Sequence, residues 1–301
     1  MGKIFKALEK SQHSIENGQD VVDDSIDTKP SPDVHDPVHD QTHNQTHDPI
    51  HNPIYNRAAR ENESEAITIN IDPMLVTGLK PQSVEAEQFR RLKNNILFPE
   101  KGNPPRCIMI TATAPGEGKS FVAANLAISI AQNIDEHVLL LDCDLRSPSI
   151  DAMFGFDHIQ GLSEYLSEAK PLSSLLVKTF LNKLTLLPSG KIPPNPSELL
   201  SSEQMRRLIH EVKLRYTDRY IIIDTPPPYL TSETNAISRQ VDGIIIVIKQ
   251  GKTQKKDVLN LIDIYGKEKI LGVVYNFAKK KTGYGYGKHG YGKYGYGVKD
   301  A

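Results

Sequence analysis

Cysteine is scarce in this chain of 301 residues: only Cys107 and Cys143 occur, and both lie in apolar, strand-like runs. Two thiols with no C-x-x-C spacing speak against a disulfide framework and read as small buried residues in a reducing compartment. Long apolar runs are missing too. None approaches the roughly 20 residues that a membrane-spanning helix needs, and no secretory leader opens the sequence. The chain is therefore expected to be cytoplasmic, reaching a membrane only through a partner. Position six is Lys6, where N-myristoylation needs Ser or Thr. Hydrophobic residues make up only 38%, low enough that part of the chain is not expected to pack. A net charge of −1 hides an uneven spread: residues 15–72 carry a net −10, residues 279–301 a net +5, and the middle is nearly balanced. A globular domain between two oppositely charged arms follows.

Against these absences one stretch stands out. Residues 113–120 read Thr-Ala-Pro-Gly-Glu-Gly-Lys-Ser, after the apolar run Cys107–Ile110 and before an Ala-rich segment from Phe121 to Gln132. Strand, glycine loop and helix in that order make a phosphate-binding P-loop. Glycines let backbone N–H groups turn inward toward phosphate oxygens, where a Cβ would obstruct. The helix that follows points its positive end at the same anion. Ala114, Pro115, Gly116, Glu117, Gly118, Lys119, Ser120 and Phe121 are the candidate nucleotide-binding residues. Lys119 is expected to reach the β- and γ-phosphates of ATP, and Ser120 to ligate Mg²⁺. Thr113 stands where the first glycine of the motif is usual.

The pattern along the chain divides it into four parts. Residues 1–12 suggest a short amphipathic helix with Ile4, Phe5 and Leu8 on one face. Residues 13–65 are acidic and proline-punctuated, with His35, His39, His43, His47 and His51 recurring every fourth position; this reads as a disordered linker. Residues 66–280 are the expected folded domain, opening on the alternating run Ile67–Ile71 and a helix over Ser83–Phe98. From Cys107 onward strands and helices alternate. Strands are expected at 107–112, 137–142, 184–188, 220–224, 243–249 and 270–276, and helices at 121–132, 197–213, 231–239 and 255–265. Near-continuous Ile, Leu and Val in the strands predict an α/β, P-loop NTPase-like fold: a mostly parallel sheet with helices on both faces, flanked by disordered arms. Residues 281–301 are a Tyr/Gly/Lys tail without apolar periodicity.

Two acidic clusters end strands. Val138–Leu141 runs into Asp142-Cys143-Asp144-Leu145-Arg146, and Tyr220–Ile223 runs into Asp224-Thr225-Pro226-Pro227. In an open α/β sheet, ligands bind beyond the carboxyl ends of the strands. Both clusters are thus expected beside the P-loop. Asp224 is the acid on the Mg²⁺ side. Asp142 and Asp144, two residues apart, suit holding the metal and accepting a proton from an attacking hydroxyl. Lys119, Asp142, Asp144 and Asp224 are the catalytic candidates; Ser120, Asp142 and Asp224 are the metal candidates.

The order of P-loop, D-x-D-x-R and I-I-I-D-T-P-P resembles the bacterial tyrosine kinases, P-loop autokinases of exopolysaccharide and capsular polysaccharide loci. The resemblance covers roughly residues 75 to 301 and includes Pro194-Asn195-Pro196-Ser197-Glu198-Leu199-Leu200. It adds Arg146 to the nucleotide-binding set. The family's E-x-x-R-x-x-R oligomerisation motif falls on Glu87, Arg90 and Lys93, with lysine in place of the last arginine and its bidentate fork. The family's tyrosine cluster falls on Tyr284, Tyr286, Tyr291, Tyr294 and Tyr296, which are five of the chain's twelve tyrosines. Alternation with glycine leaves each hydroxyl open to a neighbouring site.

The resemblance implies ATP and Mg²⁺ as cofactors and a homo-oligomer, possibly a ring, with transfer mainly in trans. It also implies a transmembrane chain-length (co-polymerase) activator that brings the chain to the inner membrane, and a cognate tyrosine phosphatase. No nucleic-acid partner is expected. The competing reading is an ATPase switch like the partitioning and division-site ATPases, which share the fold and lack a tyrosine acceptor. Their extra signature lysine would fall at Ala114.

Overall fold

Apolar runs set the strands, because a strand covered on both faces has no side to spare for polar residues. The computed structural model describes residues 70–157, 159–215, 218–228 and 233–278. Within them β1 (Cys107–Ala112), β2 (His137–Asp142), β3 (Val177–Lys178), β4 (Leu184–Leu187), β5 (Arg219–Asp224), β6 (Gly243–Lys249) and β7 (Ile270–Asn276) form one seven-stranded sheet. Its order is β3-β4-β2-β5-β1-β6-β7. All pairings are parallel except the short β3 edge, which runs antiparallel to β4. The three central strands β1, β5 and β2 are therefore neighbours, and their carboxyl ends carry the P-loop, Asp224 and Asp142.

Period-2 alternation sends successive side chains to opposite faces. Ile108, Ile110, Val138, Leu140, Ile222 and Ile245 join one core; Met109, Leu139, Leu141, Ile221, Ile223 and Ile244 join the other. The first core is roofed by α1 (Val76–Leu79), α2 (Val84–Leu97) and α3 (Lys119–Ala131). Alanines at 123, 124, 127 and 131 let α3 lie close to the sheet, and every residue from Val122 to Ala131 is buried. Ser83 starts α2 by accepting from the Ala86 amide at 3.1 Å. The second core is covered by α5 (Leu162–Glu168), α8 (Glu203–Arg215), α9 (Glu233–Ser238) and α10 (Lys255–Tyr265), among others.

The expected strands and most helices stand within two residues of their predicted bounds. The helix expected over 197–213 is two: α7 (Pro196–Leu200) and α8. The Ser202 hydroxyl accepts from the Met205 amide at 3.1 Å and so starts a second helix where a continuous one was predicted. Short helices α4 (Ile150–Met153), α5 and α6 (Leu172–Leu175) and strand β3 were not anticipated; each is too short to show a period. Cys107 and Cys143 are free, buried thiols. The expected N-terminal helix, the histidine tract, Ile67–Ile69 and the tail tyrosines Tyr284, Tyr286, Tyr291, Tyr294 and Tyr296 lie outside the described residues.

Candidate nucleotide site

The loop between β1 and α3 turns on two glycines with left-handed backbone. Gly116 has φ +74° and Gly118 φ +87°. At Gly118 a Cβ would displace the Asn276 side-chain amide, and at Gly116 it would stand in open space; the left-handed backbone favours glycine at both. Helix α3 begins at Lys119, immediately after this turn, and its first amides have no side-chain cap. Those free donors, the loop amides and the dipole end of a 13-residue helix make a cradle that fits a phosphate group.

The acids converge as expected. Asp142 and Asp224 are register partners on adjacent strands β2 and β5. Both are fully buried, and Asp144 is 4% exposed. Lys119 Nζ lies 2.6 Å from Asp144 Oδ2 and 3.5 Å from Ser120 Oγ. Burial works to lower the Lys119 pKa, but the charges of Asp224, Asp144 and Asp142 outweigh it and raise it. This lysine is a fixed cation at any physiological pH.

Three carboxylates share that single ammonium. Burial, and then the neighbouring Asp224, push Asp142 up to about 8, against the pull of the Asp144 and Ile150 amides. Asp142 Oδ1 accepts from the Asp144 amide at 3.0 Å, and Oδ2 from the amides of Ser149 and Ile150 at 3.4 and 3.3 Å. Asp224 differs. Burial raises it to about 6, with Lys119 and the Ser120 hydroxyl opposing, yet neither of its oxygens meets a donor at hydrogen-bond geometry. A fully buried carboxylate with two unsatisfied oxygens is costly unless a ligand completes it. Among the described residues no ready cage of three or more His, Cys, Asp or Glu gathers around one point. Mg²⁺ needs none, because it is held by one or two carboxylates together with substrate phosphates and water. The residues therefore fit Mg²⁺ at Asp224 and Ser120, with Asp142 behind them.

Other predicted residues are placed differently from one another. The Glu117 side chain folds back into the loop and accepts from the Thr113 and Ala114 amides at 2.7 and 2.9 Å. Phe121 packs edge-on against Phe89 of α2, its ring 5.6 Å away. Arg146 reaches away from the loop to Ser197, Nη2 to Oγ 2.8 Å, tying the D-x-D-x-R turn to the segment after β4. On α2, Arg90 pairs with Glu87 at 2.8 Å and donates to the Pro81 carbonyl, while Lys93 donates to Asn133 Oδ1 at 2.7 Å. Glu87, Arg90 and Lys93 are all partly exposed, and each is bonded within its own fold.

Sequence reasoning passed over the β6 and β7 ends. Asn276 Nδ2 donates to the Glu117 carbonyl at 3.0 Å, the Thr253 hydroxyl meets Glu117, and Lys249 Nζ stands 4.2 Å over the Phe277 ring. Phe277 itself has φ +55°. The strand-end rule that located Asp142 and Asp224 applies equally to Lys249 and Asn276, and was the available signal.

A glycine loop capping a helix, a partly buried lysine and strand-end acids define a P-loop nucleotide-binding domain. The ParA family profile, described as the NUBPL iron-transfer P-loop NTPase, matches residues 104–289. Tyrosine-protein kinase YwqD of Bacillus subtilis (strain 168) is 35% identical over 233 residues, spanning 76% of this chain and 95% of the relative. The putative tyrosine-protein kinase CapB of Staphylococcus aureus is 32% identical, over 68% of this chain and 90% of its own. Among solved structures, the kinase domain of Escherichia coli tyrosine kinase ETK superposes with a TM-score of 0.64 at 29% identity, covering 76% of this chain and 90% of that one. The chimerical protein CapA2B2 gives 0.61 at 32% identity, over 68% and 91%. This chain belongs to the bacterial tyrosine-protein kinases.

Proposed function

We propose that the chain is an ATP-dependent autokinase that transfers the γ-phosphoryl of Mg-ATP to its own C-terminal tyrosines, Tyr284, Tyr286, Tyr291, Tyr294 and Tyr296. Transfer runs mainly in trans within a homo-oligomer built through Glu87, Arg90 and Lys93 of α2. The observation that carries the reading is the Lys119–Asp144 pair beside the unsatisfied Asp224. Phosphate oxygens compete with Asp144 for Lys119. Once the lysine turns to them, Asp144 is released as a proton acceptor. The tyrosine oxygen then bonds to the γ-phosphorus, the bond to the ADP oxygen breaks, and the phenolic proton passes to Asp144. Asp224 and Ser120, with Asp142 behind them, would hold Mg²⁺, which would supply charge neutralisation for the phosphate oxygens.

The resemblance to the tyrosine autokinases of polysaccharide loci supports a role in exopolysaccharide synthesis and export. No helix among the described residues is long and apolar enough to cross a membrane. A transmembrane co-polymerase would then supply the membrane link at the inner face, and a tyrosine phosphatase would reset the tail. Ala114, in place of the signature lysine of the partitioning ATPases, weighs against a switch without an acceptor.

Lys119→Met tests the reading. Incubated with Mg-ATP and mapped by mass spectrometry, the wild type should carry phosphotyrosine within residues 284–296, and the variant none. Mixing Lys119→Met with an active, tail-deleted chain should restore phosphate on the variant's tail if transfer is in trans. Wild-type phosphotyrosine in a folded Lys119→Met protein would sink the assignment.

A further inference from the structure

The nucleotide loop departs from its motif at Thr113 and carries a carboxylate at Glu117, and the structure brings the two together. Glu117 is 4% exposed. Its Oε2 accepts from the Thr113 and Ala114 amides at 2.7 and 2.9 Å, and the Thr113 hydroxyl lies 2.9 Å from both carboxylate oxygens. Oε1 also meets the Thr253 hydroxyl of the β6–α10 turn. These amide and hydroxyl donors hold the buried carboxylate. From the same residue, the backbone carbonyl accepts from Asn276 Nδ2. One residue thus ties the loop to the ends of both β6 and β7.

We propose that Glu117 is a positioning residue for nucleotide binding. Its carboxylate acts as an internal anion for the first two loop amides, and with the hydroxyls of Thr113 and Thr253 it sets the loop in its phosphate-accepting shape beforehand. A P-loop whose first position is glycine has no side chain there to anchor. Here Thr113 supplies an extra donor, and Glu117 supplies the acceptor that makes it useful. The pair works as a unit: Thr113 without Glu117 leaves a hydroxyl and two amides without their acceptor, and Glu117 without Thr113 loses a charge-assisted donor. The amides from Gly116 onward stay free for the ligand. Glu117 never touches the transferred group, so its effect belongs in binding rather than in the chemical step.

The test is Mg-ADP affinity by calorimetry on the full chain, with nucleotide-free melting recorded for every variant. This rests on the nucleotide-binding half of the kinase reading; phosphotyrosine formation, read separately, would fail with that reading and leave the affinity result standing. Glu117→Ala should weaken Mg-ADP binding about tenfold at a temperature where the variant is fully folded, the order expected for losing charge-assisted hydrogen bonds. ATP KM should rise in parallel, with kcat at saturating ATP within about threefold of wild type, the signature of lost uniform binding. Glu117→Gln should recover most of the affinity. Its amide oxygen still serves the two backbone donors, and the two hydroxyls can turn to accept from its NH₂. Thr113→Gly should weaken binding as well, and should add little in the Glu117→Ala background, because coupled residues do not add.

The proposal is overturned if Glu117→Ala binds Mg-ADP as the wild type does, if Gln is as damaging as Ala, or if the Thr113 and Glu117 losses multiply independently. Should Glu117→Ala fail to fold, Thr253→Ala decides. An affinity loss of about two- to threefold that Thr253→Ser restores supports the network; a loss that serine does not restore, or none at all, refutes it.

Discussion

Aspartates sit at both ends of the sheet and behave in opposite ways. At the amino end, Asp242 precedes β6 and is half-buried. Its Oδ2 accepts from the Arg106 and Cys107 amides at 3.1 and 2.8 Å, and its Oδ1 faces Lys213 Nζ at 2.6 Å. Burial works to raise its pKa, but the Lys213 hydrogen bond and the two amides outweigh it, and the group is held low. At the carboxyl end, Asp142 and Asp224 are buried side by side and pushed up. The first arrangement is complete as it stands and fastens β1 to β6. In the second, Asp142 accepts from three backbone amides while both oxygens of Asp224 are left without a donor. Fully satisfied charge marks a structural tie, and charge left unsatisfied at a strand end marks a ligand site.

The sharpest way to break this contrast is Asp224→Asn. If its carboxylate exists for Mg²⁺, tyrosine phosphorylation should fall on the order of a hundredfold or more at saturating Mg²⁺. The nucleotide-free protein should melt no lower than the wild type, because a buried, unsatisfied charge has been removed. Full activity, or a large drop in melting temperature, would make Asp224 a structural group like Asp242.

A smaller effect is a matter of pH. In metal-free protein, burial and the neighbouring Asp224 push Asp142 up to about 8, so it keeps a proton that the exposed carboxyl of the unfolded chain releases at about pH 4. The native state therefore binds more protons between those limits, and stability should fall as pH rises from about 5 to 8. One raised carboxyl gives at most about 1.4 kcal/mol per pH unit, and about 2 kcal/mol over the window is expected after allowing for relaxation. Urea unfolding in EDTA across that range measures it. Asp142→Asn should flatten the slope; an unchanged slope would assign it to other groups.

How far the sequence revealed this contrast depends on the scale at which each signal is written. The strands of the central sheet were legible because both-face burial demands continuous Ile, Leu and Val, and Asp142 and Asp224 were legible because they terminate those runs. The break between α7 and α8 was hidden, since Ser202 acts through a single side-chain bond inside an otherwise periodic stretch. Glu117 was read as part of the phosphate loop on motif grounds; that it folds inward to Thr113 and Thr253 depends on a contact with a residue 136 positions away. Lys93 shows the same limit: the motif placed it in the oligomerisation set, and its bond to Asn133, 40 positions away, is written only in the fold.

The smallest effect sharpens the comparison from the other end. Asp242→Asn can keep its two backbone donors, because the amide oxygen occupies the Oδ2 position, and loses only the attraction to Lys213. With both side chains about one-third exposed, that pair is screened, and its loss should cost about 1 kcal/mol at pH 7 without changing the rate of tyrosine phosphorylation. The sign with pH runs opposite to that of Asp142. A carboxyl held low in the native state contributes stability above its unfolded pKa and loses it as pH falls through the folded one. Wild type should therefore be more stable than Asp242→Asn at pH 7 by an amount that vanishes below pH 4, whereas it should fall increasingly below Asp142→Asn in stability as pH rises toward 8. Urea midpoints for both variants at pH 4, 6 and 8 separate the two. If both differences moved in the same direction with pH, the ends of the sheet would not differ in kind, and the carboxyl-end acids would lose their strongest claim to be a cation site.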